Sequence, residues 1–185
     1  MSSLSLPAQF VRHVCPAGGK DYAPGHPGGT SAPHAGYTLR LTIGADDWYD
    51  PTPLGRDAKD WLKAAGVSYF NWFSPGSWPK NHRSALVGFR MLPEERWQVC
   101  AYVNDAEGGF TYDGVLTLAA GDTVTVTYRY LDGAAVYSLA AGQQQVAARF
   151  ENFVRGSREV NVGPWHGGSL PAPVGTGLGA EFVLE

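Results

Sequence analysis

The sequence predicts an all-β fold, an antiparallel two-sheet β-sandwich of jelly-roll type with one short helix and an extended N-terminal arm. Three observations predict it. Short segments of alternating apolar and polar residues recur along the chain, turn residues separate them at spacings of about 8–12 residues, and only one brief stretch has helical periodicity. A chain of 185 residues is long enough to bury a real core as one domain without disulfide or metal support. Its 24 glycines and 13 prolines supply the turns that such a fold requires.

Residues 1–36 read as a Gly/Pro-rich arm, because His13, His26 and His34 there stand among glycines and prolines with almost no apolar periodicity. These histidines read as arm composition rather than a metal cage, and Cys15, in Cys15-Pro-Ala-Gly-Gly19, as a free surface thiol. The sandwich domain spans 37–185. It opens with Leu39, Leu41 and Ile43 alternating with Thr38, Arg40 and Thr42, a half-buried strand with Leu41 in the core. Asp46-Asp-Trp-Tyr-Asp50 and Pro51-Thr-Pro53 break that strand. Asp57 then reads as the N-cap of a short helix presenting Ala58, Trp61, Leu62 and Ala65 on one face, with Gly66 closing it. Further strands are expected near 67–74, 83–92, 96–104, 110–118, 122–131, 134–140, 143–149, 158–163 and 179–185. Turns at Pro93-Glu94-Glu95, 105–109, Gly121-Asp122, Asp132-Gly133 and Gly142 separate them, and Asp132-Gly133 is the strongest hairpin signal in the chain. Cys100, inside an apolar strand pattern, reads as a small buried hydrophobe.

Composition narrows the function. A net charge of −3 and a pI near 5.9 offer no basic field for a nucleic-acid backbone, so no nucleic-acid partner is expected. No run approaches the roughly 18–20 apolar residues that span a bilayer, so no membrane partner is expected either. Met1-Ser-Ser-Leu-Ser-Leu-Pro7 lacks a basic segment followed by an apolar core, which implies a cytoplasmic protein unless a signal has been removed.

Arg83-Ser-Ala-Leu-Val-Gly-Phe-Arg90, Arg96-Trp-Gln-Val-Cys-Ala-Tyr-Val-Asn104, Thr123-Val-Thr-Val-Thr-Tyr-Arg-Tyr130 and Val136-Tyr-Ser-Leu139, with Ala180-Glu-Phe-Val-Leu-Glu185 as the closing strand, resemble the strand pattern of the concanavalin A-like lectin/glucanase superfamily. The likeness spans residues 37–185 and implies the jelly roll. His82-Arg-Ser-Ala-Leu-Val-Gly-Phe-Arg90 and Gly163-Pro-Trp-His-Gly-Gly-Ser-Leu-Pro-Ala-Pro173 also resemble segments of small bacterial sandwich proteins, a likeness that implies fold and no activity. Glucanases of the superfamily share a Glu-x-Asp-x-Glu or Glu-x-Asp-x-x-Glu run that this chain lacks. Its adjacent Glu94 and Glu95 would point to opposite faces of a strand and so could not flank one glycosidic bond.

Six Trp, nine Tyr and eight Phe form a heavy aromatic endowment. Indole rings held in loops stack on the apolar faces of sugars at little entropic cost. Trp48, Trp78 and Trp165 sit in expected loops, whereas Trp72 and Trp97 read as packing residues; for Trp78 and Trp165 the packing and ligand-facing readings both stay open. His82, Arg90 and His166 are the polar candidates beside them. Asp46, Asp47 and Asp50 place three carboxylates in five residues, a set that would suit calcium or make a solvated acidic turn. No other cofactor is indicated, and no nucleophile-elbow, zinc-protease or phosphate-loop motif is present. The expected function is non-catalytic recognition of a glycan or polysaccharide through Trp48, Trp78, His82, Arg90, Trp165 and His166. Two alternatives compete with it: an assembly subunit whose arm adds a strand to a neighbouring copy, giving a homo-oligomer, and a polysaccharide-acting enzyme using His82, His166, Arg90 or tyrosines.

Overall fold

Alternation of side chains along extended backbone decides which face of each strand meets the core, and here it builds two layers. The computed structural model describes residues 10–25, 29–71, 82–166 and 171–185. Among them are twelve strands: β1 (Val11–Cys15), β2 (Thr30–Ser31), β3 (Gly36–Thr42), β4 (Leu62–Phe70), β5 (Ser84–Leu92), β6 (Arg96–Asn104), β7 (Phe110–Ala119), β8 (Thr123–Leu131), β9 (Ala134–Ala141), β10 (Gln144–Phe150), β11 (Arg158–Val162) and β12 (Thr176–Leu184). They form two six-stranded sheets, ordered β1-β12-β3-β8-β9-β10 and β2-β11-β4-β5-β6-β7. Every pairing between neighbouring strands is antiparallel. The architecture is the expected all-β sandwich.

The core lies between the sheets. Tyr37, Leu39 and Leu41 of β3 and Val124, Val126 and Tyr128 of β8 face Val87, Phe89 and Met91 of β5 and Trp97, Val99 and Ala101 of β6. Leu41 is fully buried, as its place in the alternation predicts. Burying a side chain of this size contributes about 1.5–3 kcal/mol. Three tyrosine hydroxyls in the core find partners: those of Tyr69 and Tyr128 lie 3.1 Å apart, and that of Tyr37 donates to the Ala85 carbonyl at 3.3 Å.

Turn chemistry sets the registers. Asp132 and Gly133 have φ of 51° and 78°, the left-handed pair that a type I′ turn demands, and they join β8 to β9 with Leu131 opposite Ala134. Gly142, with φ 56°, opens the next hairpin.

Three local expectations are corrected. The short helix is a 3-10 segment, Thr52–Lys59, and it ends before Leu62–Ala65, which belong to β4. Gly66 therefore does not cap a helix; a Cβ there would come within 2.3 Å of the Ala85 carbonyl oxygen, so glycine permits the close approach of β4 to β5. Cys15 is buried rather than a surface thiol, because β1 is an ordered strand of the first sheet. Within the stretch read as an arm, β1 pairs with β12 and β2 with β11, so strand addition takes place within the chain. Among the described residues no helix is long and apolar enough to cross a membrane.

Candidate functional site

The central strands of the second sheet are buried on both faces, unlike a sheet that shows one side to water. Their inward residues join the main core. On the outward side Trp61, Leu86, Cys100 and Tyr102 form a second apolar cluster, with Val162 and Trp165 packed against it. Gly88 makes room for it: a Cβ at that position would meet Cys100 Sγ at 2.9 Å and the Trp61 ring at 3.5 Å.

Polar side chains hold the aromatic ones in place. The Arg90 guanidinium lies 4.4 Å from the centre of the Trp61 ring. Its Nε donates to Gln98 Oε1 at 2.8 Å and its Nη1 to the Lys59 carbonyl at 3.0 Å. Gln98 Nε2 in turn donates to Thr117 Oγ1 at 3.0 Å, so one chain of hydrogen bonds runs across β5, β6 and β7. Lys63 Nζ lies 4.0 Å from the centre of the Tyr102 ring and donates to the Trp61 carbonyl at 2.7 Å. Two further ring pairs complete the surface, Trp61 with Tyr112 at 5.1 Å and Tyr102 stacked on Phe110 at 5.5 Å. These spacings are those of favourable aromatic and cation–π contacts.

Trp61, Lys63, Tyr102, Phe110 and Tyr112 line an open cavity of about 360 Å³, with Lys59 and Asp60 at its exposed rim. Phe110 is 62% and Tyr112 43% exposed, so both rings present area to solvent. Register shifts between Lys63 and Ala65 and between Val99 and Ala101 mark bulges on either side of the cavity, the device by which a sheet re-aims its side chains. Burial pushes the Lys63 amine down to about 8 and the Tyr102 hydroxyl up to about 12. The cavity thus combines an aromatic platform with a desolvated ammonium, and Arg90 meets it only through the Trp61 ring. A larger cavity of about 420 Å³ at the end of the sandwich is lined by Asn104, Asp105, Glu107, Phe150 and Phe153. There Asp105 Oδ1 is already engaged by the N–H groups of Glu107 and Gly109 in its own loop.

Two of the residues singled out from sequence come together on the outer face: Arg90, over Trp61, and Trp165, half-buried against the second cluster. Trp165 is held by backbone hydrogen bonds in both directions with Lys63, at 2.9 and 3.1 Å, and so extends the β11–β4 ladder instead of standing in a free loop. Its neighbour His166 points the other way, is buried, and lies 3.1 Å through Nε2 from the Tyr49 hydroxyl. Adjacent residues of extended backbone face opposite sides, which separates this pair. Trp48 packs against the main core, and its indole N–H is shared between the Leu92 and Arg96 carbonyls, at 3.0 Å each. His82 sits at the start of β5, with Nδ1 3.2 Å from the Ala106 carbonyl. Trp78 lies outside the described residues.

The calcium set does not converge. Asp47 pairs with Arg12, Asp50 accepts from the backbone N–H and hydroxyl of Thr52 at 2.9 and 2.6 Å, and Asp46 faces solvent. Among the described residues no group of three His, Cys, Asp or Glu side chains is arranged to hold a metal ion. Sequence reasoning passed over Trp61, Lys63, Tyr102, Phe110 and Tyr112. Phe110 and Tyr112 did carry a signal, two aromatics spaced by two in a strand and preceded by a glycine pair.

No protein-family model matches the chain, and no curated protein matches its sequence. Solved structures do. An alginate lyase from Klebsiella pneumoniae aligns with a TM-score of 0.54 at 9% identity, covering 82% of this chain and 61% of the lyase. The chain therefore matches less than two thirds of that protein's length. A functionally unknown protein from Saccharomyces cerevisiae aligns at 0.43 with 10% identity, over 98% of this chain and 95% of that one. Sheep galectin-11 aligns at 0.34 with 8% identity, over 86% and 98%. At such identities the first likeness shows the jelly-roll sandwich fold and nothing finer, and the two lower scores add no argument.

Proposed function

We propose that the protein recognises a glycan, without cleaving it, on the outer face of its second sheet. The observation that carries this reading is the solvent-facing pair Phe110 and Tyr112, each in contact with a buried aromatic of the second cluster and bordering the 360 Å³ cavity. Flat rings fixed by their neighbours offer sugars a stacking surface whose ordering cost is already met. Lys63, with Lys59 and Asp60 at the rim, supplies the directional contacts that sugar hydroxyls require. Asp60 is the only carboxylate on that cavity among the described residues, so the pair of acids that glycoside hydrolysis uses is not assembled there. The alginate lyase likeness supports the fold on which this surface is built, while the ligand class rests on the surface itself.

Affinity electrophoresis against neutral and acidic polysaccharides tests the reading, with assays of product release on the same panel. Retention by at least one polysaccharide is expected, weakened about tenfold or more in Phe110→Ala and Tyr112→Ala, roughly the scale of aromatic stacking on planar ligands. Absence of retention across the panel would overturn the proposal, and release of oligosaccharides would turn a binding protein into an enzyme.

A further inference from the structure

Among the described residues, Lys63 is a cation without an ion-pair partner. It is partly buried, and its ammonium meets an aromatic face and one backbone carbonyl, while none of the ion pairs among the described residues includes it. Asp60, at the rim, raises the affinity of Lys63 for its proton but lies beyond ion-pair distance. Removing a charge from water is costly unless a partner of opposite sign replaces the lost hydration. The π face of Tyr102 offsets part of that cost. An ammonium has three donors, and the Trp61 carbonyl engages one of them.

Beside the cavity, a second donor has no acceptor among the described residues. The indole N–H of Trp61, a residue 5% exposed, is buried and has no hydrogen-bond partner among the described residues. Buried indole N–H groups ordinarily find one. Lys59 adds a second positive charge at the rim, and among the described residues it too makes no ion pair. Two lysines share the cavity with one rim carboxylate, and what this arrangement lacks is an oxyanion.

We infer that the cavity at Lys63 is an oxyanion subsite, and that the glycan recognised on this face carries a negatively charged group, carboxylate or sulfate, which Lys63 receives with Lys59 at the rim. The inference rests on the proposed glycan reading and adds the chemical class of the ligand to it. In this arrangement Phe110 and Tyr112 bind the sugar ring regardless of charge, and Lys63 distinguishes acidic from neutral units.

A matched set of probes separates the two roles: a neutral β-glucan oligosaccharide, the same chain oxidised to its uronate, and the same chain sulfated, each titrated by calorimetry at low and moderate salt. At least one acidic form is expected to bind tenfold or more tighter than the neutral form, and the preferred acid identifies the oxyanion. Lys63→Gln should remove that preference, Lys63→Arg should retain most of it, and Phe110→Ala should weaken all three probes alike. A circular-dichroism melt of each variant establishes that it is folded. Equal binding of neutral and acidic probes, or a preference that survives in folded Lys63→Gln, would overturn the inference and leave glycan recognition standing. Failure of every probe to bind, with no retention on the polysaccharide panel, would overturn both.

Discussion

The two sheets of the sandwich have similar inner faces and opposite outer ones. On the first sheet, β3 and β8 present Thr38 opposite Thr127, Arg40 opposite Thr125 and Thr42 opposite Thr123, with Arg40 bonded to Glu181 at 2.9 Å on the neighbouring β12. That is the ordinary solvated side of an antiparallel sheet. On the second sheet the equivalent side carries Trp61, Leu86, Cys100 and Tyr102, with cations laid over the rings. A sandwich needs apolar residues only on its two inner faces. The apolar cluster on this third face is itself buried beneath Val162, Trp165 and the overlying cations, and the aromatic area left open to solvent is that of Phe110 and Tyr112.

Substitutions on the three kinds of face sharpen this contrast. The largest effect belongs to the inner core: Leu41→Ala should cost about 2–5 kcal/mol through lost burial and a residual cavity. Reversible denaturant unfolding measures it, and a loss below about 0.5 kcal/mol would mean that β3 does not face the core. On the outer face of the second sheet, Trp165→Ala should weaken glycan binding by roughly 1–3 kcal/mol. Its cost in stability should stay below the 3–5 kcal/mol typical of a core tryptophan. A large stability loss with unchanged binding would assign Trp165 to structure alone.

A smaller effect is electrostatic and has a definite sign. Burial pushes the Lys63 amine down to about 8 in the folded state from its ordinary 10.5, so between those values the unfolded chain binds more protons than the folded one. Stability from this group therefore rises with pH through that window, and the cost of the buried ammonium is present in full only below about 8. Lys63→Met should accordingly melt above the wild type at pH 7, with a difference that shrinks toward zero by about pH 10.5. A difference independent of pH would remove the desolvated cation from the account. The smallest effect belongs to the first sheet's outer face, where Thr125→Ala should stay within about 0.5 kcal/mol of wild type and leave binding unchanged.

The contrast also explains what was legible in the chain. Strands with one solvated face, such as β3 and β8, announce themselves by period two, and turns such as Asp132-Gly133 announce themselves by residues that tolerate left-handed backbone. The site lies where those rules lapse. Leu62, Ala64 and Ala65 all face inward because the β4–β5 register shifts between Lys63 and Ala65, and the extra residue turns alternation into a spacing that imitates a helix. Trp61 was read into that helix for the same reason. The proximity of Trp61 to Tyr112 and of Lys63 to Tyr102 arises from pairing across three strands, which no local pattern encodes. Trp48 and His166 were favoured for their polar, loop-like surroundings, and both turn out to be committed to packing and internal hydrogen bonds.

The position of β12 has a consequence for how the molecule is made. It lies between β1 and β3, so the last of the twelve described strands in chain order joins two of the earliest. Until residues 176–184 emerge from the ribosome, β1 has no partner in its sheet and β3 keeps one ladder of backbone groups unpaired. The nascent first sheet therefore passes through a stage with two open edges, the condition under which chains associate with one another. The second sheet's central hairpins, β4 to β7, pair in chain order and are complete much earlier. Translation thus assembles the aromatic face on a finished scaffold, while closure of the opposite layer waits for β12.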